Sequence, residues 1–243
     1  MKYQIATAVL PLLTAAPFAQ ADFITLDYLG HGRGSFQSVQ VESAYNWDEI
    51  AYGESYYLDC SEQLWAQAGQ DTTISHCVQV YTGIPDGSSI FEVVDIADAP
   101  GSPPWPGMMG ELKATLLEDL FAEWVDPLTG GVYDSAQDEA TATAFQILTW
   151  EITHENFSAT SVDDMAQQID LDRGAIKWSS TGGEVSDIVT DMVALLQDGS
   201  WSSAPIVGLT SESVQDQALY VPGPGVLLAM GLGGVVGSRR RRN

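Results

Sequence analysis

The chain has few of the residues that bind transition metals and few basic residues. Its 243 residues include two cysteines, three histidines and nine lysines plus arginines, against 33 aspartates plus glutamates. So few soft ligands argue against a Cys/His zinc site or an iron–sulfur cluster, and we expect no metal and no cofactor. A formal net charge of −24 repels phosphate backbones, so we expect no nucleic-acid partner.

The sequence also lacks the motifs of common enzymes. It contains no G-x-S-x-G elbow, no H-E-x-x-H and no P-loop. Carboxylate pairs such as Glu118-Asp119 and Asp163-Asp164 are typical of a solvated face in so acidic a chain. The segment 170–174 has two spaced carboxylates but not the register or the closing glutamate of an EF-hand loop. We therefore expect a non-enzymatic protein, and a secreted hydrolase stays as one alternative.

The N-terminus has the three parts of a secretory signal peptide. Lys2 precedes an apolar stretch over residues 5–18, and Ala19-Gln20-Ala21 forms an A-x-A cleavage site. A buried N-terminal helix is the other interpretation, but Pro11 and Pro17 interrupt it. The sequence predicts a signal helix over residues 1–21 and an exported chain that begins after Ala21.

The C-terminus has a short proline motif, an apolar run and a basic end. Residues 221–237 would span about 26 Å as a helix, a short but sufficient length for the ~30 Å hydrocarbon core. Arginines at the end would stay cytoplasmic under the positive-inside rule, which leaves the body of the protein outside. The residues concerned are Val221, Pro222, Gly223, Pro224 and Gly225 in the motif, and Arg239, Arg240, Arg241 and Arg242 in the basic end.

This arrangement resembles the PEP-CTERM sorting signal, over about the last 22 residues. Gly223 stands where the motif usually has a glutamate. The resemblance implies an exosortase-type sorting enzyme as a partner and an anchor in the inner membrane through the C-terminus. It further implies processing near the motif and transfer to the cell surface or extracellular matrix. We assign residues 219–243 to this signal.

Residues 22–218 read as one extracytoplasmic α+β domain with a β-rich N-terminal half and about three helices. Without the two termini it retains four basic residues, which leaves a strongly acidic surface that suits a salty medium. The pattern predicts helices over 109–125, 136–155 and 184–197. It predicts strands over 23–28, 35–41, 55–58, 73–81, 90–96, 205–209 and 217–221.

The second predicted helix carries a glutamine into an apolar environment. Of the ten residues 143–152, eight are apolar or threonine, so Gln146 is expected to be buried with them. A buried carboxamide needs hydrogen-bond partners. One interpretation is a hydrogen-bonded core glutamine. The other is a carboxamide attacked by a cysteine, with loss of ammonia, to give a thioester.

Phe145-Gln146-Ile147-Leu148-Thr149-Trp150 is similar to the glutamine motif of bacterial thioester domains. Cys77-Val78-Gln79-Val80-Tyr81 resembles their cysteine strand. Residues 98–100, 109–110 and 150–152 follow it in an order similar to that in exported PEP-CTERM proteins of this kind. The resemblance implies a Cys77–Gln146 thioester that acylates a surface amine of a partner. His76 and His154 lie near the two motifs in sequence. Either histidine could lower the pKa of the thiol or take its proton. Neighbouring side chains on a strand point to opposite faces, which argues against this role for His76, and His154 is more typical of a residue that ends a helix.

Cys60 supplies an alternative partner for Cys77. Two cysteines 17 positions apart in an exported protein favour a disulfide, which would stabilise the fold by roughly 3 kcal/mol. Cys77 cannot form both bonds, so the disulfide, the thioester and neither bond all stay open.

The sequence therefore predicts an exported, exosortase-sorted surface or matrix protein of structural or adhesive type. A covalent adhesin acting through Cys77 and Gln146 is the first alternative, and the hydrolase is the second. Four tryptophans lie in segments that read as loops, where an exposed indole could stack on a sugar, so extracellular polysaccharide is a further candidate partner. They are Trp47, Trp65, Trp105 and Trp201.

Overall fold

The computed structural model describes residues 22–41, 55–66, 72–80, 82–100, 107–132, 139–178 and 182–221. The signal peptide and all but the first residue of the proline motif and apolar tail lie outside these residues. Within them, no helix combines the length and the apolar character needed to cross a membrane.

The described residues form nine strands and four helices. The strands are β1 (Asp22–His31), β2 (Phe36–Val41), β3 (Ser55–Asp59), β4 (Gln63–Ala66), β5 (Thr72–Cys77), β6 (Gly87–Asp95), β7 (Ile176–Lys177), β8 (Ile206–Thr210) and β9 (Gln217–Tyr220). The helices are α1 (Gly110–Trp124), α2 (Glu139–His154), α3 (Val162–Ala166) and α4 (Glu184–Leu196).

Six strands close into an antiparallel barrel in the order β1-β4-β5-β9-β8-β6. The barrel has its own small core, in which Trp65 and Phe91 meet edge to face at 5.2 Å between ring centroids. Leu26, Leu209 and Val214 complete this core. Burying side chains of this size contributes about 1.5–3 kcal/mol each, so a few residues suffice to hold a small barrel closed. The prediction that Trp65 lies in a loop is wrong, because the residue belongs to β4 and its side chain is fully buried in the barrel. Trp47 and Trp105 lie outside the described residues.

The two ends of the barrel carry different parts of the chain. β1 begins at Asp22, which pairs with Val93 near the end of β6, and β9 ends at Tyr220, which pairs with the first residue of β8. Because all pairs are antiparallel, β1 begins and β9 ends at the same end of the barrel. β5 runs the other way from β9 and ends at Cys77, opposite Gln217, at the far end.

The helices build a second, larger core against one side of the barrel. α2 lies in its middle and contacts α1, α4, β5 and β7, and all its residues from Thr141 to His154 are buried. α2 contains neither glycine nor proline, so the chain can stay helical for four turns. A three-stranded sheet in the order β3-β2-β7 adds β2 residues such as Val39 and Val41 to the same core.

The α+β class and the β-rich N-terminal half are confirmed. The three predicted helices correspond to α1, α2 and α4, each shorter than predicted by one to four residues. The sequence analysis missed β4, α3 and β7, of four, five and two residues, because elements this short carry too few residues to establish a period.

Candidate functional site

Cys77 lies where β5 runs past the end of its neighbour. The last β5 residue paired with β4 is Ser75, opposite Gln63. Beyond that point the Gln146 side chain takes the place of a strand. Its Oε1 accepts a hydrogen bond from Cys77 N at 3.1 Å, and its Nε2 donates to Cys77 O at 2.7 Å. The carboxamide thus acts as a peptide group on the open edge of β5.

Helix α2 holds this carboxamide in position. Gln146 is fully buried, as the sequence predicted, and the preceding Phe145 ring packs on the His76 ring at 4.7 Å between centroids. Phe121 of α1 packs on both rings, at 5.1 Å from Phe145 and 5.3 Å from His76. Because aromatic contacts fix α2 against β5, little freedom is left to the glutamine side chain.

The thiol of Cys77 meets two further glutamines. Its Sγ donates to Gln215 Oε1 at 2.9 Å, and Gln217 Nε2 lies 3.5 Å from Sγ as a donor. Gln217 Oε1 accepts from Ser75 Oγ at 2.9 Å, and Gln215 Nε2 donates to Gln79 O. We call Gln146, Gln215 and Gln217 the carboxamide cluster.

The cluster is neutral and almost closed to solvent. Cys77 is 1% exposed and both Gln146 and Gln217 are fully buried, whereas Gln215 is 9% exposed. In the contacts described above, the partners of Sγ are the side-chain amides of Gln215 and Gln217. The site comes nearest to the surface at Gln215.

His76 lies beside Cys77 in sequence but faces away from its thiol. His76 points to the other side of β5, where its Nε2 lies 3.3 Å from Gly130 O, and burial lowers its pKa, with the Glu62 charge opposing. This agrees with the alternation expected along a strand. His76 is therefore a neutral core residue.

His154 closes the buried end of α2. Its Nδ1 lies 3.1 Å from Trp150 O, and its Nε2 accepts from Val80 N at 3.4 Å. Burial, with the charge of Lys113, lowers its pKa to about 3, against the hydrogen bond to Trp150 O, which raises it. A histidine held neutral with both ring nitrogens engaged in this way is a structural residue of the helix end.

Cys60 is also buried, and its backbone N–H donates to Ser35 O at 3.2 Å. Both cysteines carry free thiols in the structure. The disulfide, the thioester and neither bond stay open as alternatives for Cys77, whose thiol is hydrogen-bonded here.

Sequence reasoning missed Gln215 and Gln217. One signal was available: the two are separated by a single residue at the start of the predicted strand 217–221, and strand alternation puts such residues on the same face. Their meeting with Cys77 depends on the pairing of β5 with β9, which the sequence does not encode locally. No protein-family model, no curated protein and no solved structure matches the chain.

Proposed function

We propose that the protein is an exported surface protein whose domain attaches covalently to an amine of a partner, through a thioester between Cys77 and Gln146. The observation that carries this proposal is the pair of hydrogen bonds between the Gln146 carboxamide and the Cys77 main chain. The amide carbon is bonded to both contacting atoms. It therefore lies beside the residue whose thiol would attack it.

The chemistry needs only these two side chains. Cys77 Sγ attacks the amide carbon of Gln146, the C–N bond breaks, and the nitrogen leaves as ammonia after taking up the thiol proton. A primary amine of the partner then attacks the thioester carbonyl. An amide bond forms, the C–S bond breaks, and the thiol is recovered with a proton from the amine.

Burial supports the proposal because a thioester would hydrolyse in contact with water. Cys77 and Gln146 are nearly or fully buried, so water has little access to the bond. Gln217 Nε2 is placed to donate to the sulfur as it leaves during attack by the amine. Gln215 loses the thiol donor once the thioester forms, and its Oε1 can then accept from the incoming amine.

Export rests on the two termini. The signal peptide and the PEP-CTERM-like tail would deliver the acidic domain to the cell surface or matrix, with an exosortase-type enzyme as the sorting partner. A structural or adhesive role without the covalent bond would need the same delivery. The carboxamide cluster does not support secreted hydrolysis, because it contains no carboxylate pair. Polysaccharide binding is a further proposal that rests on the tryptophans and not on this cluster.

The intact mass of the mature domain tests the thioester. A thioester lowers the mass by about 17 Da, the ammonia lost, and methylamine then adds about 31 Da at Gln146. A disulfide lowers the mass by only about 2 Da and does not react with methylamine. An unshifted mass of domain purified from its native host would overturn the covalent proposal.

Two cysteine variants make the test specific. Cys77→Ala should have the unshifted mass and should not react with methylamine. Cys60→Ala is the matched control, because it removes a thiol that is as buried as that of Cys77 but has no part in the proposed thioester. The mass of this variant should still show the loss of ammonia. The opposite pattern would assign the reactive thiol to Cys60.

The N-terminal residue and location of the native protein test export. We expect material that begins at Asp22 and is labelled by a membrane-impermeant biotin reagent on intact cells. Recovery from the cytosol with Met1 and the arginine end intact would overturn delivery to the surface, whatever the outcome of the mass measurement.

A further inference from the structure

A second polar site lies on the other side of α2. It is a pocket of about 380 Å³ between the C-terminal end of α2 and the segment that follows it. Glu151 and Glu155 line it from the helix, and Phe157, Gln168 and Asp170 line it from the segment. Glu151 is five residues beyond Gln146, about 140° around the helix, so this pocket is separate from the carboxamide cluster.

One oxygen in this pocket lacks a hydrogen-bond donor. Glu151 Oε1 accepts from Asp170 N at 3.1 Å, and the two oxygens of Glu155 accept from Asn156 N at 2.8 Å and Ala175 N at 2.7 Å. Glu151 Oε2 is buried and has no partner among the described residues. A buried carboxylate oxygen without a donor is unfavourable, and a ligand that donates to it would remove that cost.

The neighbouring cations are engaged elsewhere. Lys113 Nζ donates to Thr153 O at 3.0 Å, and the Arg173 guanidinium, 81% exposed, pairs with Asp170 at 2.5 Å. Of the two, only the charge of Lys113 acts on Glu151. When Glu151 is ionised, it adds to Glu155 and Asp170, and these three negative charges outnumber the two positive ones, which favours a cation.

The walls favour an organic cation over a metal ion. In the described part of the chain, no group of three or more His, Cys, Asp and Glu side chains is placed to hold a metal. Phe157 instead gives the pocket an aromatic wall, and the Lys113 ammonium already lies 5.8 Å from the centroid of that ring. Ammonium groups with attached methylenes suit a site that combines a carboxylate with an aromatic face.

We propose that this pocket binds an alkylammonium group, with its N–H donating to Glu151 Oε2 and its methylenes against Phe157. The group can come from a free diamine or from a lysine side chain of a partner protein. Both sources have the same chemistry, and both fit the volume. The proposal does not depend on the thioester.

Catalysis is a poorer match for the same residues. A hydrolytic pair needs a second carboxylate that can attack or activate water, whereas both oxygens of Glu155 are held by backbone N–H groups. Gly174 adds to this restraint, since its φ of +93° and its close approach to Glu155 Oε2 leave no room for a side chain. These restraints on Glu155 leave Glu151 as the carboxylate available to a ligand.

Protonation of Glu151 gives the binding a pH dependence. Burial, with the charges of Glu155 and Asp170, raises the pKa of Glu151 to about 8, against the hydrogen bond from Asp170 N and the charge of Lys113, which lower it. Arg173 faces the pocket beside Asp170 and also disfavours a cation. The ammonium needs the carboxylate form, so binding should be at least tenfold tighter at about pH 8 than at about pH 6.

Titration with cadaverine, and separately with a lysine flanked by acetyl and methylamide caps, tests the proposal. Both are followed by calorimetry and by NMR shifts of the backbone amides, in the wild-type domain and in Cys77→Ala, which cannot acylate an amine. We expect binding in both proteins, with shifts at Glu151 and Phe157. Binding by cadaverine but not by the capped lysine would assign the site to free diamines, and the reverse would assign it to a protein lysine.

Matched variants and a neutral probe complete the test. Glu151→Gln should weaken binding at least tenfold, and Phe157→Leu, which keeps the carboxylate, should weaken it about threefold. Asp164→Asn removes the same charge from the exposed face of α3 and should leave binding unchanged. Equal binding of capped norleucine, unchanged binding in a folded Glu151→Gln, or shifts confined to other surfaces would each overturn the proposal.

Discussion

Helix α2 contributes to two polar sites that are built on opposite principles. Around Cys77, neutral carboxamides bond to the main chain, to the thiol and to the Ser75 hydroxyl, and the site is nearly closed to solvent. Around Glu151, charged groups surround an oxygen that has no donor, and the site opens into a pocket. The comparison shows that neutral polar groups can be buried in a closed site when each has a hydrogen-bond partner. A buried carboxylate oxygen without a donor instead leaves a place for a ligand that donates to it.

The largest effect is expected from Gln146→Ala. It removes both partners of the Cys77 main chain, leaves a buried N–H and C=O without hydrogen bonds, and opens a cavity. We expect the free energy of unfolding to fall by about 3–5 kcal/mol in urea titrations. Gln167→Ala, at an exposed glutamine, is the control and should cost less than about 1 kcal/mol. Similar losses for the two variants would mean that the carboxamide cluster does not stabilise the domain.

A pH dependence of stability should distinguish the charged site from the neutral one. Since the pKa of Glu151 is raised to about 8, the native state holds its proton more tightly than the unfolded chain, whose glutamates titrate near pH 4.3. Protonated Glu151 therefore contributes to the free energy of unfolding in full below about pH 4. This contribution is lost as the pH rises to about 8, by up to about 1.4 kcal/mol per pH unit.

Glu151→Gln should flatten this part of the pH profile, because the variant has no proton to lose there. Urea titrations between about pH 5 and about pH 8 measure the slope. Asp164→Asn, at an exposed carboxylate, should keep the wild-type slope. Parallel profiles for wild type and Glu151→Gln would show that this carboxyl titrates normally in the folded protein.

Within the carboxamide cluster, a glutamine-to-leucine substitution should lower the free energy of unfolding more at the more deeply buried position. Gln217→Leu leaves the Ser75 hydroxyl without its acceptor in a fully buried position, and we expect a loss of about 1–3 kcal/mol. Gln215 is nearer to the surface, so water can replace its side chain in Gln215→Leu, and the expected loss is under about 1 kcal/mol. Thermal unfolding compares the two, and a larger loss at Gln215 would reverse the ranking.

The smallest effect on stability is expected at Arg173. Its pair with Asp170 is exposed, so Arg173→Gln should change the free energy of unfolding by less than about 0.5 kcal/mol. The same change removes a positive charge beside the pocket and should tighten cadaverine binding about twofold. Weaker binding in this variant would argue that Arg173 assists the ligand.

The sequence predicted those features that depend on local patterns. The apolar face of α2 was sufficient to predict a buried Gln146, and the period of α4 located it to within one residue. Closure of the barrel was not predicted, because the register of β5 against β9 joins residues about 140 positions apart. The role of Glu151 was missed for a related reason: its surroundings come from the segment after α2, around Asp170.

The placement of the barrel ends determines how a tethered domain would face its surroundings. β1 begins and β9 ends at one end, and Cys77 lies at the other. A protein held at the bilayer by the chain beyond Tyr220 would therefore keep that end towards the lipid. The end of the barrel at which β5 stops would then face away from the bilayer, with Cys77 buried just beneath it.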